Sequence, residues 1–171
     1  TAGQYDVRVE YLLHNQSGEV KTVQPYQHLV QTIENGEDSS MMMPIYRGAA
    51  FGTASERYNK YAFDDMQEKN LLEATTGGWV AMLEHYFVSA WVPDQQAENQ
   101  LYSLVRNGQG VIGAKGPAVN IEPGAQASLS STFYAGPKDQ DHLANIANGL
   151  DLTVDYGFLW FISQPLFWLL T

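Results

Sequence analysis

The chain has 171 residues, which is enough for one domain that buries a sizeable core. Its 19 acidic and 9 basic side chains give a formal net charge of -10, which argues against nucleic acid or an anionic lipid surface as an electrostatic partner. The chain contains no cysteine, so a disulfide framework is excluded, and the composition leaves both the cytoplasm and an envelope compartment open.

The start of the chain predicts a pair of strands. In residues 5–13, Tyr, Val and Leu recur at every second position, which is typical of a half-buried strand. The turn-forming residues 15–18 follow, and a second strand is predicted over residues 20–32. Pro25 near its start suits an edge strand or an irregular entry. We therefore expect a long hairpin.

Residues 33–77 show the fewest clean periods in the chain, and they predict loops with short strands. Loops often carry the contacts to partner molecules. Three adjacent methionines, Met41, Met42 and Met43, lie in this stretch. They suit either the filling of a core gap or an adaptable protein-binding surface.

Short strands dominate the next part of the chain. Residues 77–93 predict two strand segments bent near Glu84 and His85, because the stretch is rich in aromatic and β-branched residues, begins with two glycines and ends at Pro93. Further strand patterns lie at residues 101–105, 110–114, 118–121 and 127–134. Their spacing predicts a mainly β, antiparallel sandwich.

A helix is predicted over residues 137–148. Pro137 suits the first helical position, and Asp139 and Asp141 suit the N-terminal turn. Gly149 is placed to cap the helix end. Apolar residues recur at helical spacing, namely Leu143, Ile146, Ala147 and Leu150.

The last stretch is dense in apolar and aromatic residues. Its apolar run of about 15 residues is shorter than the roughly 20 that cross a bilayer. We expect a helix lying in the headgroup layer with tryptophans as anchors, and Pro165 favours a kink in it. Packing onto the protein's own core is the alternative. The predicted membrane-interface residues are Phe158, Leu159, Trp160, Phe161, Ile162, Leu166, Phe167 and Trp168.

The sequence offers no convincing catalytic, cofactor or metal site. Residues 108–113 match G-x-G-x-x-G letter for letter, but a strand pattern follows where dinucleotide binding needs a helix. The histidines are scattered without zinc-like spacing. Neither opposed carboxylates nor a nucleophile elbow can be recognised. We therefore expect no enzyme activity, no cofactor and no bound metal.

Two segments carry a family resemblance. Residues 150–157 read LDLTVDYG and residues 159–167 read LWFISQPLF. Together they closely resemble the junction between the large periplasmic domain and the membrane region of the bacterial YidC insertase family. The second strong match is residues 77–93, GGWVAMLEHYFVSAWVP, and residues 47–52 and 58–65 also resemble this domain.

The resemblance implies a fold and a location. Residues 1–149 would be the C-terminal part of an antiparallel β-supersandwich similar to galactose mutarotase, with C-terminal helices. Residues 150–171 would be a junction and interfacial helix leading to a transmembrane segment outside this chain. The chain begins at Thr1 without methionine, and we expect an N-terminal anchor and further domain sequence before it. The location would be the periplasmic side of the bacterial inner membrane.

The function that the resemblance implies is an accessory one. The domain would dock to the Sec translocon, SecYEG, and to its auxiliaries SecD and SecF, and would position the membrane region, without itself inserting proteins. The candidate docking residues are Arg47, Tyr58, Lys60 and Tyr61.

Two other functions compete with this one. The first is a non-catalytic β-sandwich module that binds a carbohydrate or a peptide, and the second is a structural spacer. The binding module would use a candidate cleft lined by Trp79, His85, Tyr86, Phe87 and Trp91.

Overall fold

The computed structural model describes residues 5–33 and 46–154. Within these ranges the strands are β1 (Asp6–His14), β2 (Lys21–Val23), β3 (Tyr26–Thr32), β4 (Gly48–Gly52), β5 (Asn59–Tyr61), β6 (Leu72–Thr76), β7 (Trp79–Leu83), β8 (Phe87–Val92), β9 (Glu98–Arg106), β10 (Gln109–Lys115), β11 (Val119–Ile121) and β12 (Gln126–Pro137). The helices are α1 (Phe63–Glu68) and α2 (Gln140–Ile146), and a 3-10 turn (Leu150–Thr153) follows α2.

The described strands form antiparallel sheets. The larger sheet has the order β1-β12-β8-β7-β4-β5, and the smaller has the order β3-β10-β9-β6. The short strands β2 and β11 form a separate ribbon. The predicted mainly β, antiparallel fold with a short C-terminal helix is therefore confirmed.

Strand β7 lies in the middle layer of the molecule, and every one of its residues is buried. Trp79, Ala81 and Leu83 point to one face of the larger sheet, where they pack with α2 and the 3-10 turn. Val80 and Met82 point to the other face, where they pack with residues of β9 and β10. Burial on both faces explains why this strand reads as a continuous apolar run rather than as an alternation.

The predicted hairpin between the first two strands is wrong. Strand β1 pairs with β12, and β3 pairs with β10. Pro25 lies between β2 and β3, where a residue without an N–H donor interrupts the predicted second strand. The buried Asn15 side-chain amide donates to the carbonyls of Glu19 at 2.8 Å and Ile121 at 2.7 Å, which ties the loop after β1 to the end of β11.

Later elements follow the sequence pattern more closely. The two strands predicted within residues 77–93 are β7 and β8, which pair with each other across the bend at Glu84 and His85. The helix α2 is shorter than the predicted 137–148. Strand β12 extends to Pro137, and the carboxylate of Asp139 accepts a hydrogen bond from the His142 backbone N–H at 3.2 Å, so the helix begins only after this cap.

Several sequence predictions fall outside the described residues. These are the methionine cluster at residues 41–43 and the whole predicted membrane-interface segment at residues 158–168. Within the described ranges, no helix has the length and apolar character required to cross a bilayer.

Candidate functional site

The candidate docking residues lie on one edge of the larger sheet. Arg47 directly precedes β4, and Lys60 and Tyr61 belong to β5, the edge strand that pairs with it. Tyr58 directly precedes β5. We call this group of Arg47, Tyr58, Lys60 and Tyr61 the β4–β5 surface. The structure brings all four predicted residues into one two-stranded unit.

The ring of Tyr46 supports Lys60, one of the cations of the β4–β5 surface. The ammonium of Lys60 lies 5.0 Å from the centre of the Tyr46 ring, a distance typical of a cation–π contact. Tyr46 donates its hydroxyl to the Ala49 carbonyl at 2.6 Å. Burial, together with the neighbouring Tyr58, raises the pKa of Tyr46 above its usual value. The lysine therefore rests on a ring that stays neutral at physiological pH.

Tyr61, which also belongs to the β4–β5 surface, is held by contacts on the opposite face of the larger sheet. Tyr61 donates its hydroxyl to the Lys69 carbonyl at 2.6 Å, and its ring packs edge-on against Phe51. Burial and the nearby Asp65 carboxylate raise the pKa of Tyr61. Arg47 and Lys60 are exposed, while Tyr58 and Tyr61 are half-buried. Lys60 thus lies over the ring of Tyr46, whereas Tyr61 packs on the other face of the sheet.

A second arrangement, which we call the C-terminal anchor, joins the larger sheet to the end of the described chain. Trp79 of β7 is buried, stacks near the ring of Tyr58, and donates its indole N–H to the Asn148 carbonyl at 3.0 Å. Leu143 and Leu150 are fully buried against the same face of the sheet. The segment that leads towards residue 155 is therefore packed onto the sheet rather than extended from it.

Two glycines make the close packing of the C-terminal anchor feasible. A Cβ atom at Gly52 would collide with the Trp79 indole, and one at Gly149 would collide with the Arg57 carbonyl. Gly149 also has a φ of 85°, in the left-handed region that favours glycine. The fully buried Thr153 hydroxyl then donates to the Leu150 carbonyl at 2.6 Å, which holds the last turn.

The candidate cleft residues do not all meet. His85, Tyr86 and Phe87 lie together at the β7–β8 bend, where the rings of His85 and Tyr86 are 3.9 Å apart. Trp79 is in the core beneath α2, whereas Trp91 packs on the opposite face of the sheet, 4.7 Å from the ring of Phe133. The two tryptophans therefore cannot line one cleft with the bend.

Residues 108–113, which match the dinucleotide pattern, run through the β9–β10 turn into β10, not into a helix. In the described part of the chain, no three His, Asp or Glu side chains cluster as a metal site would require.

Comparison with known proteins decides the family. The profile described as "YidC periplasmic domain" matches residues 1–169. The chain belongs to this family. Family membership makes it a periplasmic domain of a membrane-integral insertase.

Individual relatives agree with the family match. The chain is 51% identical over 169 residues to "Membrane protein insertase YidC" of Mannheimia succiniciproducens, covering 99% of this chain and 31% of the relative. The protein of the same name from Pseudoalteromonas atlantica is 55% identical over 164 residues, covering 95% of this chain and 30% of the relative. That from Shewanella loihica is 52% identical over 169 residues, covering 98% and 31%. The chain spans about a third of the length of these relatives, which are named as insertases rather than as enzymes.

Sequence reasoning did not find the C-terminal anchor. The indole of Trp79 and the carbonyl of Asn148 are 69 positions apart, so no local periodicity links them. Gly149 was recognisable as a residue placed to end a helix, but its close approach to Arg57 was not. A strand that is apolar on both faces is the signal that a third layer covers the sheet.

Proposed function

We propose that this domain docks to components of the Sec translocon through the β4–β5 surface. The observation that carries the proposal is that two basic residues, Arg47 and Lys60, are exposed at the edge of the larger sheet. The chain that presents them belongs to the family of YidC periplasmic domains. In a chain of net charge -10, these two exposed basic side chains are suited to contacts with acidic groups of a partner. We propose SecD, SecF and SecYEG as the partners.

Site-directed photocrosslinking in the full-length insertase tests this docking. A photoreactive phenylalanine analogue replaces Arg47 in one variant and Lys60 in another, and the exposed Glu122 in the turn before β12 serves as the control position. Crosslinks to SecD, SecF or SecY at positions 47 and 60, but not at 122, are expected. Equal capture at all three positions, or capture of no Sec component, would contradict the proposal.

We also propose that the domain positions the membrane region that follows it. Support comes from the C-terminal anchor, which packs the chain onto the sheet up to Thr153. Residues 158–168 supply the interfacial segment on the basis of their sequence alone. Tryptophan emission from Trp160 and Trp168 should shift to shorter wavelength with neutral lipid vesicles, and an unchanged spectrum would count against an interfacial helix.

A further inference from the structure

A cavity of about 180 Å³ lies where the two sheets come together at one end of the molecule. Strand β1 and strand β12 form one side, and β3 forms another. The loop between β8 and β9, the start of β9, the loop after β10 and the start of β11 complete the lining. None of the residues of the β4–β5 surface takes part, so the inference drawn below does not rest on docking to the Sec translocon.

Asn99 gives this cavity a fixed hydrogen-bond acceptor. Its side chain is 2% exposed, and its Nδ2 donates to the carbonyls of Gly77 at 2.9 Å, Asp94 at 2.8 Å and Ala97 at 3.3 Å. Three carbonyls around Nδ2 leave only one orientation for the amide, because an oxygen at that place would face three acceptors. The opposite atom, Oδ1, has no hydrogen-bond partner among residues 5–33 and 46–154.

The lack of a side chain at Gly116 keeps space open in front of Asn99. A Cβ atom built at Gly116 would lie 3.6 Å from Asn99 Oδ1 and 2.8 Å from Pro25 Cγ. Gly116, Asn99 and Pro25 all line the cavity. Asn99 Oδ1 therefore faces the space that a side chain at position 116 would fill.

Gln27 supplies a second buried acceptor. It is 9% exposed and lines the same cavity, and its Oε1 also has no hydrogen-bond partner in the described part of the chain. Buried acceptors without a donor are costly and uncommon in folded proteins. Two of them in the lining of one cavity can be satisfied there by water or by a ligand that donates hydrogen bonds.

The rest of the lining indicates which donor fits. Pro25, Pro93 and Pro117 form apolar walls, and Asp94 is the charged residue of the described lining. An ammonium or guanidinium group donates hydrogen bonds and accepts none, whereas each hydroxyl of a sugar brings an acceptor along with its donor. The aliphatic stem of a basic side chain can lie against prolines while its head reaches polar groups.

We propose that this cavity binds a lysine or arginine side chain of a partner polypeptide. The cationic head donates to Asn99 Oδ1 and Gln27 Oε1, and the Asp94 carboxylate supplies the countercharge. The net charge of -10 favours the approach of such a basic segment. The polypeptide lies across the mouth of the cavity, where Tyr11 of β1 is half exposed and provides an amphipathic contact.

Titration of the ¹⁵N-labelled chain followed by NMR tests this site. The probes are N-acetyl-lysine methylamide and N-acetyl-arginine methylamide. The controls are N-acetyl-norleucine methylamide, which keeps the stem without the charge, and glucose. Saturable shifts of the Asn99 and Gln27 side-chain amide resonances are expected with the two cationic probes and not with the controls.

A charge-matched pair of variants makes the test specific. Asp94→Asn removes the countercharge but keeps the acceptor for the Gln96 backbone N–H, which lies 2.9 Å from Asp94 Oδ1. It should weaken binding of the lysine probe about two- to fivefold. Asp64→Asn makes the same change of net charge in α1 and should leave the binding unchanged.

Each other outcome would overturn the proposal. Equal binding of norleucine would make the cavity a plain apolar pocket, and preferential binding of glucose would make it a carbohydrate site. If Asp94→Asn and Asp64→Asn changed the affinity for the lysine probe equally, Asp94 would not supply the countercharge. The absence of saturable shifts with both cationic probes would leave the acceptors without the proposed ligand.

Discussion

Trp79 connects the larger sheet to the segment that follows α2. Its ring fills the core beneath α2, and its indole N–H satisfies the carbonyl of Asn148, which directly precedes Gly149. Asn148 itself is exposed and the bond is partly buried, so its loss costs about the net contribution of one hydrogen bond, to which the burial of the Trp79 ring adds. The stability of the C-terminal anchor should therefore depend on this one residue.

We predict that Trp79→Phe lowers the free energy of unfolding by about 1–3 kcal/mol, because it removes the hydrogen bond to the Asn148 carbonyl and replaces a buried ring with a smaller one. Urea unfolding followed by circular dichroism measures the change. The control is Trp91→Phe, since Trp91 is half-buried on the other face of the sheet and its indole makes no hydrogen bond to another described residue. An equal loss in both variants would show that the bond to Asn148 contributes nothing.

Tyr134 makes the stability of the fold sensitive to alkaline pH. The side chain is fully buried, and its hydroxyl donates to the Pro137 carbonyl at 2.6 Å. Burial, together with the nearby Asp139 carboxylate, raises the pKa of Tyr134 above its usual value. In the unfolded chain the pKa is about 10. The stabilisation is thus complete below about pH 10 and is lost as the pH rises through the raised value in the folded state.

We predict that Tyr134→Phe is about 1 kcal/mol less stable than the unchanged chain at pH 8, because it loses the bond to Pro137. Between about pH 9.5 and 11.5, around the ordinary tyrosine pKa of about 10, the free energy of unfolding of this variant should fall less steeply than that of the unchanged chain. Urea midpoints measured across this pH range give both quantities. Tyr86→Phe, at an exposed position, is the control. Parallel curves for Tyr134→Phe and the unchanged chain would refute the coupling.

Among the elements, the C-terminal anchor depends on a close approach that only glycine permits. Gly149 and Gly124 both have positive φ angles, of 85° and 76°. A Cβ atom at Gly149 would collide with the Arg57 carbonyl, whereas one at Gly124 would meet nothing within 4 Å. Alanine at Gly124 therefore tests the backbone strain alone, whereas alanine at Gly149 tests the strain together with the steric collision.

We predict that Gly124→Ala costs about 1 kcal/mol from the left-handed backbone alone. Gly149→Ala should cost about 2–4 kcal/mol, because the displaced Arg57 backbone adds to the same strain. Thermal and urea unfolding of the two variants give the difference. Equal costs would mean that the 3-10 turn after α2 is not held against the sheet.

The sequence predicted those elements whose signals are local. Paired glycines and Pro93 bracket β7 and β8, and turn residues separate the strands from β9 to β12. Pairing between distant strands left no local signal. The turn after β1 suggested a hairpin, but β1 pairs with β12. The packing and hydrogen bonds that β1 gains from β12 outweigh the closeness of β2 along the chain.

The candidate sites divide in the same way. The β4–β5 surface was predicted from a loop-rich composition and a family resemblance, and the structure places its four residues in one unit. Whether this unit docks to a partner stays a prediction. The C-terminal anchor and the acceptors Asn99 and Gln27 depend on contacts between distant residues, for which a single sequence carries no pattern.

As a whole, the chain is a periplasmic domain of a YidC-family insertase that spans about 31% of the length of its relatives. In its described part, Arg47 and Lys60 are exposed at the edge formed by β4 and β5, and the segment from α2 to the 3-10 turn packs onto the larger sheet. We expect the two features to serve one purpose, which is to hold the following membrane region at a set place relative to a docked partner.

The most direct test is co-purification of Sec components with the full-length insertase carrying Arg47→Glu and Lys60→Glu together. A matched variant carries Glu122→Lys, which changes charge away from the β4–β5 surface. Docking through this surface predicts that SecD and SecF are lost from the double variant alone, while a simple substrate is still inserted. Retention of both Sec components together with a collapse of insertion would contradict it, and would indicate that the domain handles substrate directly.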